Sequence, residues 1–272
     1  MEKYSIKVVP INLIVNGNVY RDGVDISPTE VYRFLETNKN TPTTSSPTPG
    51  DFLKIYEQLA DSVDGIVCVT ICSDISMMFS SATEAKQIML EKRPKLAINV
   101  VDSRTAGGAQ GFIALEAARA AALGGDLAAV TRRAELMIPR VHMIAVLDTL
   151  YYLARSGRIP KIAAWAGSML KINPILTFAH DGIGMLERAR TKPRGVRRLV
   201  EIMEQRMKDK PVHVNIMHAN VAGEAKTLRE QVESKFKCVE LYITDFAPTM
   251  GLHAGPGTLA LAFYSEEEND VA

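Results

Sequence analysis

Four segments of this 272-residue chain concentrate side chains that can hold an anion. The first is Thr43-Thr44-Ser45-Ser46, which leads into Thr48-Pro49-Gly50-Asp51. Hydroxyls donate hydrogen bonds, and a helix starting at Thr48 adds unpaired backbone N–H groups with partial positive charge. An anion needs several such donors if it is to leave water. The plain alternative is a polar loop with an ordinary helix cap, which residue types alone favour because Ser and Thr are common in turns. The second segment holds Ser73 and Ser76, between an apolar run at 65–71 and a helix expected from about 77. In open α/β sheets, ligands collect where strand C-termini feed helix N-termini. Helix capping by either serine explains the residues equally well.

The third segment, Gly107-Gly108-Ala109-Gln110-Gly111, sits between a strand and a helix, as a phosphate loop would. Its spacing matches neither GxGxxG nor GxxxxGK[ST], and no Lys follows. Tight turning and close helix packing are the simpler use of these glycines. The fourth is His253-Ala254-Gly255-Pro256-Gly257, a His on irregular backbone before a Gly-Pro-Gly turn. Functional side chains often occupy such loops, and imidazole can donate to a carboxylate. A surface His in a rigid turn is the alternative.

Several chemistries are disfavoured. Ser–His–acid hydrolysis calls for a GxSxG elbow, and none is present. HExxH is absent, and His213 and His218 read as isolated strand residues, so no metal site is expected. Lys and Arg number 32 against 31 Asp and Glu, a net charge of +1. That leaves no electrostatic footprint for nucleic acid or an anionic membrane surface. The acidic run at 266–270 reads as a solvated tail. Cys68, Cys72 and Cys238 form no CxxC pair; the first two sit in an apolar run and pack as small hydrophobes, which points to a reducing, cytoplasmic compartment. No uncharged apolar run approaches the roughly 20 residues of a spanning helix. Residues 1–20 lack the cleavage pattern of a signal peptide. Any lipid handled must therefore be bound inside the fold.

The elements that must position these side chains alternate strand, loop and helix. Residues 8–20 read as two strands turning at Asn16-Gly17. Ser27-Pro28-Thr29-Glu30 is a capping-box helix start, and Thr48-Pro49-Gly50-Asp51 is a second start with a cap and a proline. Apolar runs at 65–71 and 96–101 read as buried strands, with helices expected at 77–90 and 112–123. This alternation predicts an α/β fold whose N-terminal half is a mostly parallel sheet with helices on both faces. The second half predicts a mixed sheet packed with helices. A helix carries Leu147, Leu150, Tyr151 and Leu153, another runs from Pro160 through Leu170, and strands at 174–178 and 183–189 pair across Asp181-Gly182. Helices striped by Val196, Leu199, Val200, Met203 and Met207, and by Ala225, Leu228 and Val232, alternate with strands at 212–217, 239–244 and 258–264. With 47 % apolar residues, two domains can each bury a core; the division is placed at 1–135 and 136–272.

Taken together, these segments resemble the DegV family over nearly the whole chain. Val9-Pro10 followed by Tyr20-Arg21-Asp22-Gly23 is similar to that family's VP…Y-x-D-G segment, and Thr44-Ser45-Ser46-Pro47-Thr48 to its TSQPS motif, with Ser46 in place of Gln. Ile71-Cys72-Ser73-Asp74-Ile75-Ser76 resembles I-S-S-x-L-S, and Asp102-Ser103 with Gly108-Ala109-Gln110-Gly111 resembles D-S…G-G-Q-G. Leu147-Asp148-Thr149-Leu150 with Ser156-Gly157-Arg158-Ile159 is similar to LDTL…GGRI, Asn173-Pro174-Ile175-Leu176 to KPIL, and residues 253–257 to H-x-G-P-G. Seven motifs in the right order are specific where one is not.

The resemblance implies a non-catalytic protein that holds one long-chain fatty acid in a tunnel between two α/β domains. Carried over by motif, Thr44, Ser45, Ser76 and His253 would surround the carboxylate. Some members present the carboxylate to a separate fatty-acid kinase, and Arg190, in an R-T segment, is implied as a contact for that partner or for the transferred phosphate. No cofactor is implied beyond the fatty acid itself. A phosphotransferase or hydrolase using the loop at 107–111, and a lipid-sensing regulatory module, are the competing classes. Met77-Met78 stands where the family has Gly-Thr, which would narrow the pocket or change chain-length preference. Members also begin with a strand and an Asp-Ser loop ahead of the VP segment; either the natural start lies upstream, or the sheet lacks that strand.

Overall fold

Asn16 (φ +51°) and Gly17 (φ +81°) make the tight turn between β1 (Asn12–Val15) and β2 (Asn18–Arg21), a left-handed backbone that an Asn-Gly pair tolerates best. The computed structural model describes residues 2–37, 42–159, 162, 172–180 and 182–266. It adds β3 (Thr43–Ser45) to the other side of β1, antiparallel, with Leu13 opposite Thr44. Both anticipated helix starts form, each as a capping box. Ser27 N and Oγ donate to Glu30 Oε2 ahead of α1 (Pro28–Thr37). Thr48 N and Oγ1 donate to Asp51 Oδ2 at 2.8 Å ahead of α2 (Pro49–Leu59).

Next come β4 (Gly65–Thr70), α3 (Met78–Lys92) and β5 (Ala97–Asp102), and the two strands pair in parallel. Parallel pairing in the first half is confined to these two, because β1 to β3 form an antiparallel sheet of their own. Then α4 (Gly107–Ala122) and α5 (Leu127–Met137) lead into β6 (His142–Val146). The rest comprises α6 (Tyr151–Arg155), β7 (Asn173–Ala179), β8 (Gly182–Ala189), α7 (Lys192–Met207), β9 (Val212–His218), α8 (Ala222–Lys235), β10 (Cys238–Asp245), α9 (Pro248–Ala254) and β11 (Leu259–Ser265). Six strands form one mixed sheet in the order β10-β9-β11-β6-β7-β8, with only β9 and β10 parallel.

Period-2 alternation in the central strands sorts their side chains into two cores. Ile144, Val146, Val214, Ile216, Leu261 and Phe263 face Leu199, Met203 and Leu228 of α7 and α8. Met143, Ala145, Met217, Ala260 and Ala262 face Phe112, Ile113 and Met137 of α4 and α5. The outer face of β4 and β5 packs Ile66 and Ile98 against Phe52, Tyr56, Ala82 and Met89 of α2 and α3. The chain therefore stacks in five layers: α2 with α3, the β4–β5 pair, α4 with α5, the six-stranded sheet, and α7 with α8.

The mixed second sheet and the α/β class follow the sequence reading, with local differences. Strand β6 stands where no strand is expected, and only 151–155 of the anticipated helix around Leu147 to Leu153 is helical. An apolar run such as 141–147 has no period that separates strand from helix. The helix anticipated from Pro160 through Leu170 lies outside the described residues, Ile162 excepted.

Candidate functional site

Thr44 on β3 points at helix α9. Its Oγ1 lies 3.3 Å from His253 Nε2. Arg158 Nη2 donates to both Thr44 Oγ1 and Thr44 O at 3.2 Å. A second pair of hydroxyls extends the cluster: Ser46 Oγ and Ser76 Oγ are 3.3 Å apart, and Ser46 Oγ accepts the Met77 N–H at 3.2 Å. Ser76 Oγ also accepts the Met78 N–H at 3.3 Å, at the first turn of α3. Four chain segments distant in sequence thus contribute hydroxyls, an imidazole and a guanidinium.

The neighbours of His253 are fixed by glycines. His253 is not on irregular backbone as its sequence suggests; it lies in the last turn of α9. Gly255 ends that helix at φ +81°, and a Cβ there would meet Tyr152 Cδ2 at 2.2 Å. Gly257 follows at φ +88°, where a Cβ would meet Asp148 Oδ2 at 2.0 Å. The turn is therefore pressed against the segment that carries Asp148, Tyr152 and Arg158. Left-handed φ and lack of room both require glycine there.

The electrostatics suit an anion. Burial, then the Arg158 charge, pushes the His253 imidazole down to about 4. It is neutral near pH 7 and can donate one hydrogen bond. Arg158 is the fixed positive charge of the cluster. No hydrogen bond or ion pair brings a carboxylate to Thr44, Ser76, Arg158 or His253 among the described residues. Among the described residues no acidic group partners the other ring nitrogen of His253, so they assemble no Ser/Thr–His–acid arrangement.

Other expected residues are placed differently. Ser45 pairs with Asn12 on β3, where its side chain points to the face opposite Thr44. Ser73 donates from Oγ to Asp102 Oδ2 at 2.6 Å, which fixes the loop and occupies its hydroxyl. Exposed Arg190 follows β8, and no hydrogen bond or ion pair joins it to the cluster. The glycine run at 107–111 opens α4 itself. A Cβ at Gly108 would meet Asn215 Nδ2 at 2.9 Å, and the Gly108 N–H points at Met217 Sδ. These backbone groups face the sheet and cannot cradle a phosphate. Met77 is exposed, and Met78 packs into the core with Phe52 and Tyr56. His213 and His218 both lie on β9, and no group of three or more His, Cys, Asp or Glu able to hold a metal occurs among the described residues. A surface groove of about 510 Å³ between Ala60, Val63, Lys92 and Leu96 holds none of the cluster's residues and adds nothing to it.

Ser46 and Arg158 were the residues that sequence reasoning missed. Ser46 stands in the first hydroxyl-rich segment, but the family motif has Gln there and gives it no role at the carboxylate. Arg158 follows a left-handed Gly157 (φ +65°), a pattern that reads as a helix end.

Known proteins share this fold. The DegV family model, described as "Uncharacterised protein, DegV family", matches residues 1–266. The chain belongs to the DegV family. A DegV domain-containing protein of Clostridium acetobutylicum is 33 % identical over 98 % of this chain and 93 % of its own length. Two solved DegV structures superpose closely. One is a DegV family protein from Thermus thermophilus described for its fatty-acid binding, with TM-score 0.90, 25 % identity and coverage of 97 % and 94 % of the two chains. The other is DegV, a fatty-acid-binding protein from Bacillus subtilis, with TM-score 0.88, 29 % identity and coverage of 97 % and 93 %. No helix among the described residues is long and apolar enough to cross a membrane.

Proposed function

We propose that this DegV protein binds one long-chain fatty acid and holds its carboxylate between Thr44, Ser76 and His253. Ser46 and Arg158 complete the set of donors, and Ser45 contributes backbone from the same strand. The observation that carries this reading is the meeting of Thr44, Arg158 and His253 within 3.3 Å, from segments that lie far apart in sequence. The Thermus and Bacillus relatives, described as binding fatty acids, support the ligand class.

The head group sets orientation, and the acyl chain supplies affinity. Sixteen buried methylenes at about 0.8 kcal/mol each give roughly 13 kcal/mol before the costs of binding. Each hydrogen bond to the carboxylate adds about 1–3 kcal/mol. Ile75 and Met250 pack against both the core between α4 and the six-stranded sheet and the core beneath α2 and α3, so a tunnel between the halves 1–135 and 136–272 would run beside them. The protein itself is a non-catalytic carrier in this reading. A separate fatty-acid kinase takes the carboxylate, and exposed Arg190 serves as its contact. The three free cysteines accord with a cytoplasmic setting.

Denaturing the purified protein and analysing the released lipid by mass spectrometry tests the reading. One equivalent of a long-chain fatty acid is expected. A protein that is empty, and that also ignores added oleate and palmitate, would overturn it.

A further inference from the structure

Helix α9 carries His253, yet its own sequence does not cap it. The N-cap residue is Ala247, at φ −52° and ψ 149°, with no side chain that can accept a hydrogen bond. The first N–H groups of any helix need partners from outside it. Here one partner comes from the start of the chain: Asp22 Oδ1 accepts the Thr249 N–H at 3.4 Å.

Asp22 is itself held firmly. Its N–H donates to the Ile11 carbonyl at 2.8 Å, Gly23 follows at φ +67°, and the Arg21–Asp25 ion pair closes the turn around it at 2.8 Å. Burial raises the pKa of the carboxyl, against the lowering effect of the Thr249 hydrogen bonds. Thr249 is 5 % exposed as a residue; its hydroxyl is fully buried beside the same carboxyl, outside hydrogen-bonding geometry. A group is not placed in such surroundings without cost, and a carboxylate at a helix N-terminus is also favoured by the helix dipole.

Thr249 and His253 are four residues apart, so they stand one above the other on a single face of α9. The helix has seven residues, and a shift of its first turn carries directly to its last. Its middle is set by Gly251, where a Cβ would meet the Tyr32 hydroxyl at 2.5 Å, and its end by Gly255 against Tyr152. Those two anchors are steric. Asp22 is the polar anchor of the first turn, at the end opposite His253, whereas Thr258 Oγ1 donates to the Ala254 carbonyl at the last turn.

We propose that Asp22 is a positioning residue for the carboxylate site: by capping α9 across the fold, it holds His253 Nε2 opposite Thr44. The proposal rests on the reading that His253 meets the ligand, and its test separates the two. Palmitate affinity is measured for the full chain as wild type, Asp22→Asn, Asp22→Ala, His253→Ala and Asp22→Ala/His253→Ala. Asp22→Ala should weaken binding roughly three- to tenfold, the scale of a lost helix cap. Asp22→Asn keeps the acceptor oxygen and should stay within about twofold. In the His253→Ala background the Asp22→Ala change should add nothing, because Asp22 acts only through that imidazole. An equal loss in both backgrounds, or no loss in either, would overturn the proposal.

A local cap should substitute for the remote one. Asp22→Ala/Ala247→Asp restores a carboxylate at the helix's own N-cap, so it should recover affinity, and it carries the test should Asp22→Ala alone not fold. Failure to recover contradicts capping. The His253 ring signals of the lipid-free protein, followed by NMR, should move in Asp22→Ala and return in the double variant. Unmoved signals contradict positioning, whereas unchanged palmitate affinity in His253→Ala alone contradicts the ligand reading.

Discussion

Thr44 and His253 are 209 residues apart in the chain and 3.3 Å apart at Oγ1 and Nε2. One is on the last strand of the small antiparallel sheet and the other on the helix before the last strand of the large one. Their contact ties the small antiparallel sheet to the helix before β11, at the place proposed to hold the carboxylate.

Arg158 should be the strongest single contributor to head-group binding. It is the one guanidinium that donates to Thr44, and hydrogen bonds that involve a charge are about twice as strong as neutral ones. Arg158→Gln should weaken palmitate binding by about 1.5–3 kcal/mol, read by displacement of a fluorescent fatty acid. The same change removes a charge that lowers the His253 pKa, so His253 should titrate at higher pH in this variant, as read by NMR. A His253 titration that does not move would show that the guanidinium is not beside it.

The lipid-free protein should lose stability on mild acidification. The folded His253 pKa is pushed down to about 4, below its unfolded value of 6.5. Between those values the unfolded chain binds the proton and the folded one does not. The contribution is therefore fully present above about pH 6.5 and is lost as pH falls toward 4. The whole effect is on the order of 3 kcal/mol, at about 1.36 kcal/mol per pKa unit. Asp22, whose pKa is raised by burial, works in the opposite direction, so the comparison that isolates His253 is wild type against His253→Ala. Urea unfolding at pH 7 and pH 5 should show a steeper loss in the wild type.

Gly255→Ala should destabilise the protein and the site together. A left-handed φ disfavours alanine by about 1 kcal/mol, and overlap with the Tyr152 ring adds about 1–3 kcal/mol more. Truncating Tyr152 to Ala in the same chain should relieve part of that loss. Strictly additive destabilisation in the double variant would mean that the ring does not press on the turn.

A different kind of stability sits behind the large sheet. Glu116 is 5 % exposed and accepts hydrogen bonds from Arg119, Arg133 and the Tyr264 hydroxyl. Burial pushes its carboxyl up, yet the arginine hydrogen bonds outweigh burial and leave it lowered. Glu116→Ala would remove the carboxylate that Arg119 and Arg133 share, although Arg119 keeps Glu240, and should cost about 1–3 kcal/mol. Denaturant unfolding checks this, and a loss below about 1 kcal/mol would show that water reaches the arginines freely.

The parts of this molecule legible in its sequence are those set by neighbours along the chain. Ser27 with Glu30, Thr48 with Asp51 and Asn16-Gly17 each carry their own local chemistry, and each forms as read. The hydroxyl-rich segments around Thr44 and Ser76 were visible for the same reason. Their meeting with His253 was suggested only by family resemblance, because no periodicity relates residues 209 apart. Arg158 and Asp22 were not visible as site residues, since their roles arise from what α9 and β3 bring near them. Strand β6 was missed because an apolar run buried on both faces loses the alternation that identifies a strand.

The most direct measurement is the affinity for palmitate and for methyl palmitate of four proteins: wild type, Thr44→Val, His253→Ala and the double variant. Palmitate should bind each single variant about 1–3 kcal/mol more weakly. The double variant should lose less than the sum, because the two side chains share one partner. Methyl palmitate, which has no carboxylate, should bind all four alike. Equal palmitate affinity across the four proteins would contradict a carboxylate held between Thr44 and His253.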